Sequence, residues 1–235
     1  MAPLGAKGCS TYEATEGGAK RCLRFSNYVG NAGEGPMEVR LEFEEGAKAV
    51  AGTGAHVQRV HRSDGTFTEH KAGPATYHAT HEHFHYEGLN AFAVYEYDTA
   101  TNTRGALVNT GHKGGICLVD IGLIALGMPD TSLPNYDITC FYPIWTPFGL
   151  IWGGRDGADM SMSLSPNWYD LYWWGLDDMY VDIGDAPDGT YELVSSTNLD
   201  GSLVEADRSN NEASVVFRLT GDNVEVLKVT SGYGA

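Results

Sequence analysis

Apolar and polar residues alternate with a period of two along much of this chain. Many of its strand-like runs show it, "MEVRLEF" (37–43) most plainly, and "HVQRVHR" (56–62), "TYELVSST" (190–197), "ASVVFRL" (213–219) and "VEVLKVT" (224–230) are strand-like in composition. That period puts successive side chains on opposite faces of a pleated backbone, so each run predicts a β-strand. Further strand-like runs lie at 22–29, 91–98, 105–111, 114–122 and 179–184. Gly, Asn, Asp and Pro separate them. In "APDGT" (186–190) Pro187 presets φ and Gly189 is free to take a positive one, which makes a turn. Helical periodicity is nearly absent, and no repeat or linker is visible. The pattern predicts an all-β fold, an antiparallel β-sandwich with residues 1–235 as one domain. Residues 123–178 differ: rich in Pro, Gly, Trp and Tyr and too long for a connector, they predict long irregular loops of the kind that carry function.

Charge narrows the partners. The chain has 31 acidic and 15 basic residues among 235, a formal net charge of −16. A nucleic-acid surface needs the opposite sign, so no nucleic-acid partner is expected; the field suits amines, basic proteins or metal ions. No apolar run approaches the roughly 20 residues of a membrane span, and the nearest, "IGLIALGMP" (121–129), is far too short. Four cysteines form two separated pairs, Cys9 with Cys22 and Cys117 with Cys140, without any C-x-x-C. Zinc ribbons and thioredoxin-like sites are thereby excluded, and two disulfides in a secreted, extracellular domain are preferred over buried free thiols. "MAPLGAKGC" has neither the basic start nor the apolar stretch of a signal peptide. Either the protein is cytosolic or an export signal has been removed.

"YHATHEHFHYEG" (77–88) holds His78, His81, His83 and His85, half of the eight histidines in the chain. On a strand over 78–86, His81, His83 and His85 share one face, with Glu82 and Phe84 on the other; a helix would join only His81 and His85. Three imidazoles without a thiolate suit copper(II) or zinc. The competing reading is a polar surface strand; the mid-chain, interrupted run is unlike a tag. Alone, the triplet separates neither copper from zinc nor catalysis from scaffolding. Two other stretches bear on this. "GHKGGICLVD" (111–120) contains Lys113, and "LSPNWYDLYWWGLDDMYVDI" (164–183) sets Tyr169 and Tyr172 among Trp168, Trp173 and Trp174. Taken singly, Lys113 reads as a surface lysine and Tyr172 as a core aromatic.

Together, in this order and spacing, the three segments resemble the lysyl oxidases. The likeness runs from "CLRFSN" near the start to "EADRSNNEA" (205–213). It implies that His81, His83 and His85 bind copper(II) and that Lys113 and Tyr172 cross-link into lysine tyrosylquinone. The quinone of that family condenses with a primary amine, either a lysine side chain of a basic protein or a small amine. A base removes the α-proton, an aldehyde is released, and molecular oxygen restores the cofactor with formation of ammonia and hydrogen peroxide. The resemblance thus implies a copper-dependent amine oxidase.

The chain also departs from the family pattern. A further family histidine, proposed elsewhere as the base, falls nearest Val94. His112, Asp120, Asp170 and Asp177 are the available substitutes, with Asp170 taken as the catalytic one. His78 is expected to orient a ligand rather than to bind the metal. Few cysteines and the unusual 123–163 segment imply a microbial branch with its own entrance to the site. Glu205, Asp207, Asn210 and Asn211 offer hard oxygen ligands suited to calcium. The family segment here binds calcium, although it also draws ligands from an acidic stretch upstream of where this chain starts. The plainer alternative is an Asx-rich turn between two strands. Two rival functions remain: a non-catalytic copper- or zinc-binding β-sandwich, and a zinc hydrolase with Glu82 as base, which strand alternation disfavours.

Overall fold

The alternating runs become strands, and every strand pair among the described residues is antiparallel. The computed structural model describes residues 2–7, 9–42, 54–78, 83–111, 113, 115, 117–124, 144–146, 149–151 and 160–231. Three five-stranded sheets result. The first runs Ala2–Lys7, Cys22–Gly30, Trp168–Tyr172, Gly122–Leu123, with Tyr180–Asp182 also paired to Cys22–Gly30. The second runs Met160–Leu164, Met37–Glu42, Gly54–His61, Phe67–His78, His83–Tyr86. The third runs Asn223–Thr230, Glu212–Thr220, Gly189–Thr197, Asn90–Asp98, Thr103–Thr110. A separate two-stranded hairpin joins Ile144–Thr146 to Gly149–Ile151. The all-β sandwich class expected from the sequence is what forms. The one helix among the described residues, Thr11–Thr15, is a short turn closed by a capping box between Ser10 and Glu13.

Burial explains the strand order. In the third sheet the central strand Gly189–Thr197 is buried at five consecutive positions, Tyr191 to Ser195, because both its faces are covered. Its edge strand Thr103–Thr110 is almost wholly exposed. One continuous hydrophobic core draws Leu23 and Phe25 from the first sheet, Val39 and Met162 from the second, and Val94, Leu193 and Phe217 from the third. Phe25 meets Phe92 edge-on with ring centroids 4.8 Å apart, tying the first sheet to the third; such a pair adds about 1 kcal/mol beyond its burial. Gln58 fastens the second sheet to the 198–211 loop through both backbone groups of Val204, at 3.0 and 2.7 Å. No helix among the described residues is long and apolar enough to cross a membrane.

Three expectations need correction. In the run 114–122, expected as a strand, the described residues before Gly122 are irregular, and among the described residues only Gly122–Leu123 pairs. There the backbone of Cys117 bonds a side chain instead of a neighbouring strand. Within 123–178, expected to be irregular, Met160–Leu164 and Trp168–Tyr172 are strands, ordered by pairing with Met37–Glu42 and Cys22–Gly30. The histidine run is not one strand over 78–86 but the two arms of a hairpin, Phe67–His78 and His83–Tyr86, with His78 opposite His83. His81 and Glu82 lie outside the described residues, so single-strand alternation no longer argues for or against Glu82. Phe67–His78 is a further strand, with Gly73 and Pro74 beside a bulge and Gly73 at φ 114°.

Candidate functional site

The strand Trp168–Tyr172 lies in the first sheet with Tyr172 opposite Asn27 and Asp170 opposite Val29. Alternation then buries Asp170 and Tyr172, which are 3% and 7% exposed. The irregular segment that begins at Lys113 lies against the tyrosine. The Cys117 N–H donates to the Tyr172 hydroxyl oxygen at 2.7 Å, and that hydroxyl donates to the Cys117 carbonyl at 2.6 Å. A single residue's backbone therefore holds the phenol from both sides. Cys117 is itself disulfide-bonded, which restrains that backbone further; Cys140, its expected partner, lies outside the described residues. The other expected disulfide, Cys9–Cys22, is formed.

Lys113 is buried, and its Nζ stands 5.7 Å from the centroid of the Tyr172 ring. The two residues singled out in separate sequence segments thus meet inside the protein. Burial pushes the Lys113 ammonium below the ordinary lysine range, and the charges of Asp178, Glu87 and Asp177 only partly oppose that shift. Burial and the nearby Asp170 carboxylate push the Tyr172 phenol well above its usual value. The Asp170 carboxyl is pushed up to about 7 by burial, and the neighbouring Asp120 adds to the rise. The Leu171 N–H, which donates to Asp170 Oδ1 at 2.7 Å, holds it back in part. Asp170 Oδ2 has no hydrogen-bond partner among the described residues. A buried carboxyl of raised proton affinity, next to a phenol, is equipped to hold and release a proton near neutral pH.

The other substitutes for a base separate on geometry. Asp120 is engaged by Ser165, whose N–H and hydroxyl donate to it at 2.9 and 2.6 Å. Asp177 is exposed, and His112 lies outside the described residues. Val94 is fully buried in the core, paired with Leu193 and Asn109, so its side chain is packing. Asp178 and Glu87 were not singled out from the sequence; nothing local marks them, since their relation to Lys113 depends on the fold.

For the histidines the backbone register is informative: His78 pairs with His83 and Thr76 with His85. The donor set, three imidazoles within "HEHFH" and no thiolate, fits copper. The Lys113–Tyr172 contact fits a precursor of a cross-link between amine and ring. In the 205–211 loop, Glu205 accepts from the amides of Asn198 and Asn211, the latter at 2.8 Å. Asp207 is closed on Ser209, whose N–H and hydroxyl donate to it at 2.8 and 2.7 Å. Asn210 is half-buried beside them.

The family model described as Lysyl oxidase matches residues 157–229, a span that contains Asp170, Tyr172 and the 205–211 loop. The protein-lysine 6-oxidase of Rattus norvegicus is 30% identical over 146 residues, 62% of this chain and 28% of the relative. That of Sus scrofa is 30% identical over 146 residues, covering 62% of this chain and 47% of the relative. The Homo sapiens enzyme is 29% identical over 145 residues.

Over these spans the chain is similar to the lysyl oxidase family. It spans less than half the length of the curated relatives it matches. Its lysine and tyrosine segments are brought into contact, and Val94 is a core residue.

Proposed function

We propose that the chain is a copper-dependent amine oxidase of the lysyl oxidase type, acting as one catalytic domain, with Lys113 and Tyr172 as the precursors of lysine tyrosylquinone. The observation that carries this reading is the buried approach of Lys113 Nζ to the Tyr172 ring. Copper held by His81, His83 and His85 would supply the redox chemistry with molecular oxygen that converts a phenol into a quinone. The chain's own residues do the rest. The backbone of Cys117 fixes the phenol, with Lys113 Nζ over its ring. Burial favours the neutral, nucleophilic amine on Lys113. Asp170 takes the α-proton of a primary amine substrate and returns it to solvent, the role its elevated proton affinity suits. Aldehyde, ammonia and hydrogen peroxide are the products. The Cys9–Cys22 disulfide and the disulfide-bonded Cys117 support a secreted, extracellular setting.

The test is aerobic copper loading of the full chain. Quinone absorbance, labelling at Tyr172 by a carbonyl reagent and peroxide release with a primary amine are expected, and Lys113→Met or Tyr172→Phe abolishes all three. Amine turnover that survives Tyr172→Phe refutes the proposal. A protein that binds copper tightly but shows no cross-link by intact mass is a metal carrier on this fold. We also assign calcium to Glu205, Asp207, Asn210 and Asn211, which must first exchange their internal hydrogen bonds for the ion. A rise in melting temperature on adding calcium, lost in Glu205→Gln, is the expected result.

A further inference from the structure

Directly after Tyr172 the chain turns outward and exposes two adjacent indoles. Trp173 and Trp174 are 50% and 39% exposed, with ring centroids 5.0 Å apart and planes tilted by 59°. Large aromatic side chains left side by side in water are unusual unless something covers them. Their placement is held firmly. The Trp174 N–H donates to Ser26 Oγ at 3.1 Å, and the Trp174 carbonyl accepts from Arg24 Nη1 at 2.9 Å. The Leu176 N–H closes the turn on the Trp173 carbonyl at 3.0 Å. The Trp173 ring lies close against Gly175, where a Cβ would come within 2.4 Å of the indole. Only glycine leaves room for the ring in that position. The positive charge of Arg24 is met by the buried Glu13 carboxylate, so it does not dominate the rim.

The same turn continues to Asp177 and Asp178, whose charges act on the Lys113 ammonium. The turn therefore starts at the buried tyrosine and returns its carboxylates towards the buried lysine. Indole faces and carboxylates together are a receptor for a positive charge, and the chain's net charge of −16 draws cations towards it. The amine that reacts at Tyr172 must be neutral to attack, so it is not the charge these groups would hold.

We infer that Trp173 and Trp174, assisted by Asp177 and Asp178, bind a second cationic group of the substrate and so select amines carrying two or more positive charges. This rests on the amine-oxidase reading for its meaning but not for its test. Two sources share the chemistry, a small aliphatic diamine and a lysine-rich polypeptide.

The experiment is equilibrium calorimetry on the metal-free full chain, which needs no cofactor. The probes are 1-aminopentane, 1,5-diaminopentane and a short lysine-rich peptide. One or both multiply charged probes should bind at least about tenfold more tightly than the monoamine. Preference for the diamine alone assigns a small polyamine; preference for the peptide alone assigns a polypeptide. The double variant W173L/W174L keeps apolar bulk but removes the π faces, and should erase most of the preference while leaving monoamine binding within about twofold. Asp177→Asn with Asp178→Asn should weaken the same probes and remove their salt dependence. Equal binding of all three probes, or a preference that persists in W173L/W174L, overturns the inference. Failure of the copper-loaded chain to form a quinone would refute the oxidase reading instead, and the binding comparison would still decide this one.

Discussion

Replacing Asp170 by Asn tests the electrostatics of the site without changing its shape. Asn keeps an oxygen for the Leu171 N–H and fills the same volume, but it cannot ionise. The Asp170 carboxyl is raised from an ordinary 3.8 to about 7 by burial. Between those values the folded chain holds a proton that the unfolded chain releases. The corresponding stability is present below pH 3.8 and is lost as pH rises through 7. At about 1.4 kcal/mol per pH unit the loss reaches about 4 kcal/mol by pH 8, and Asp170 is too well buried for solvent to screen it away. His56 works in the opposite sense, its imidazole held down to about 4 by burial, so its contribution is lost as pH falls below 6.5. Subtracting wild-type from variant stability cancels His56 and isolates Asp170. Urea unfolding of metal-free protein from pH 4 to 8 should show the two proteins about equal at pH 4 and Asp170→Asn more stable by up to about 4 kcal/mol at pH 8. In copper-loaded protein the same variant should lose amine turnover by about 10²–10⁴-fold, the usual worth of a general base. A stability difference that stays flat across this pH range would refute the reasoning.

Other perturbations follow from the same geometry. His56→Gln should remove a pH-dependent loss of about 3 kcal/mol between pH 6.5 and 4, read by the same unfolding series. Gly111→Ala places a Cβ 2.8 Å from that of Phe92; it should cost about 1–3 kcal/mol and lower the yield of quinone by shifting the segment that carries Lys113. Val94→His should not supply a base but destabilise the fold by about 2–7 kcal/mol, because the position is sealed in the core. Gly175→Ala should leave stability nearly unchanged, re-aim Trp173, alter tryptophan fluorescence and weaken the preference for multiply charged amines.

The sequence by itself determined the all-β class, because the period of two is a local property of each run and survives without knowledge of partners. Strands such as Met37–Glu42 and Asn90–Asp98 were legible for that reason. The chemistry-bearing residues were legible too, as residue types in a recognisable order: the histidine run, Lys113 and Tyr172. Their relation was not. Trp168–Tyr172 and Met160–Leu164 are ordered by hydrogen bonds to strands more than a hundred residues away in the chain, and no local pattern encodes those partners. Gly73 and Pro74 look like breakers until a bulge gives them a place. Only the tertiary structure decided that Lys113 meets the ring of Tyr172, that Asp170 is sealed beside it while Asp120 is occupied, and that Val94 belongs to the core. The reason is physical: desolvation sets the proton affinities of these groups, and desolvation is a property of the packed interior, not of neighbours along the chain.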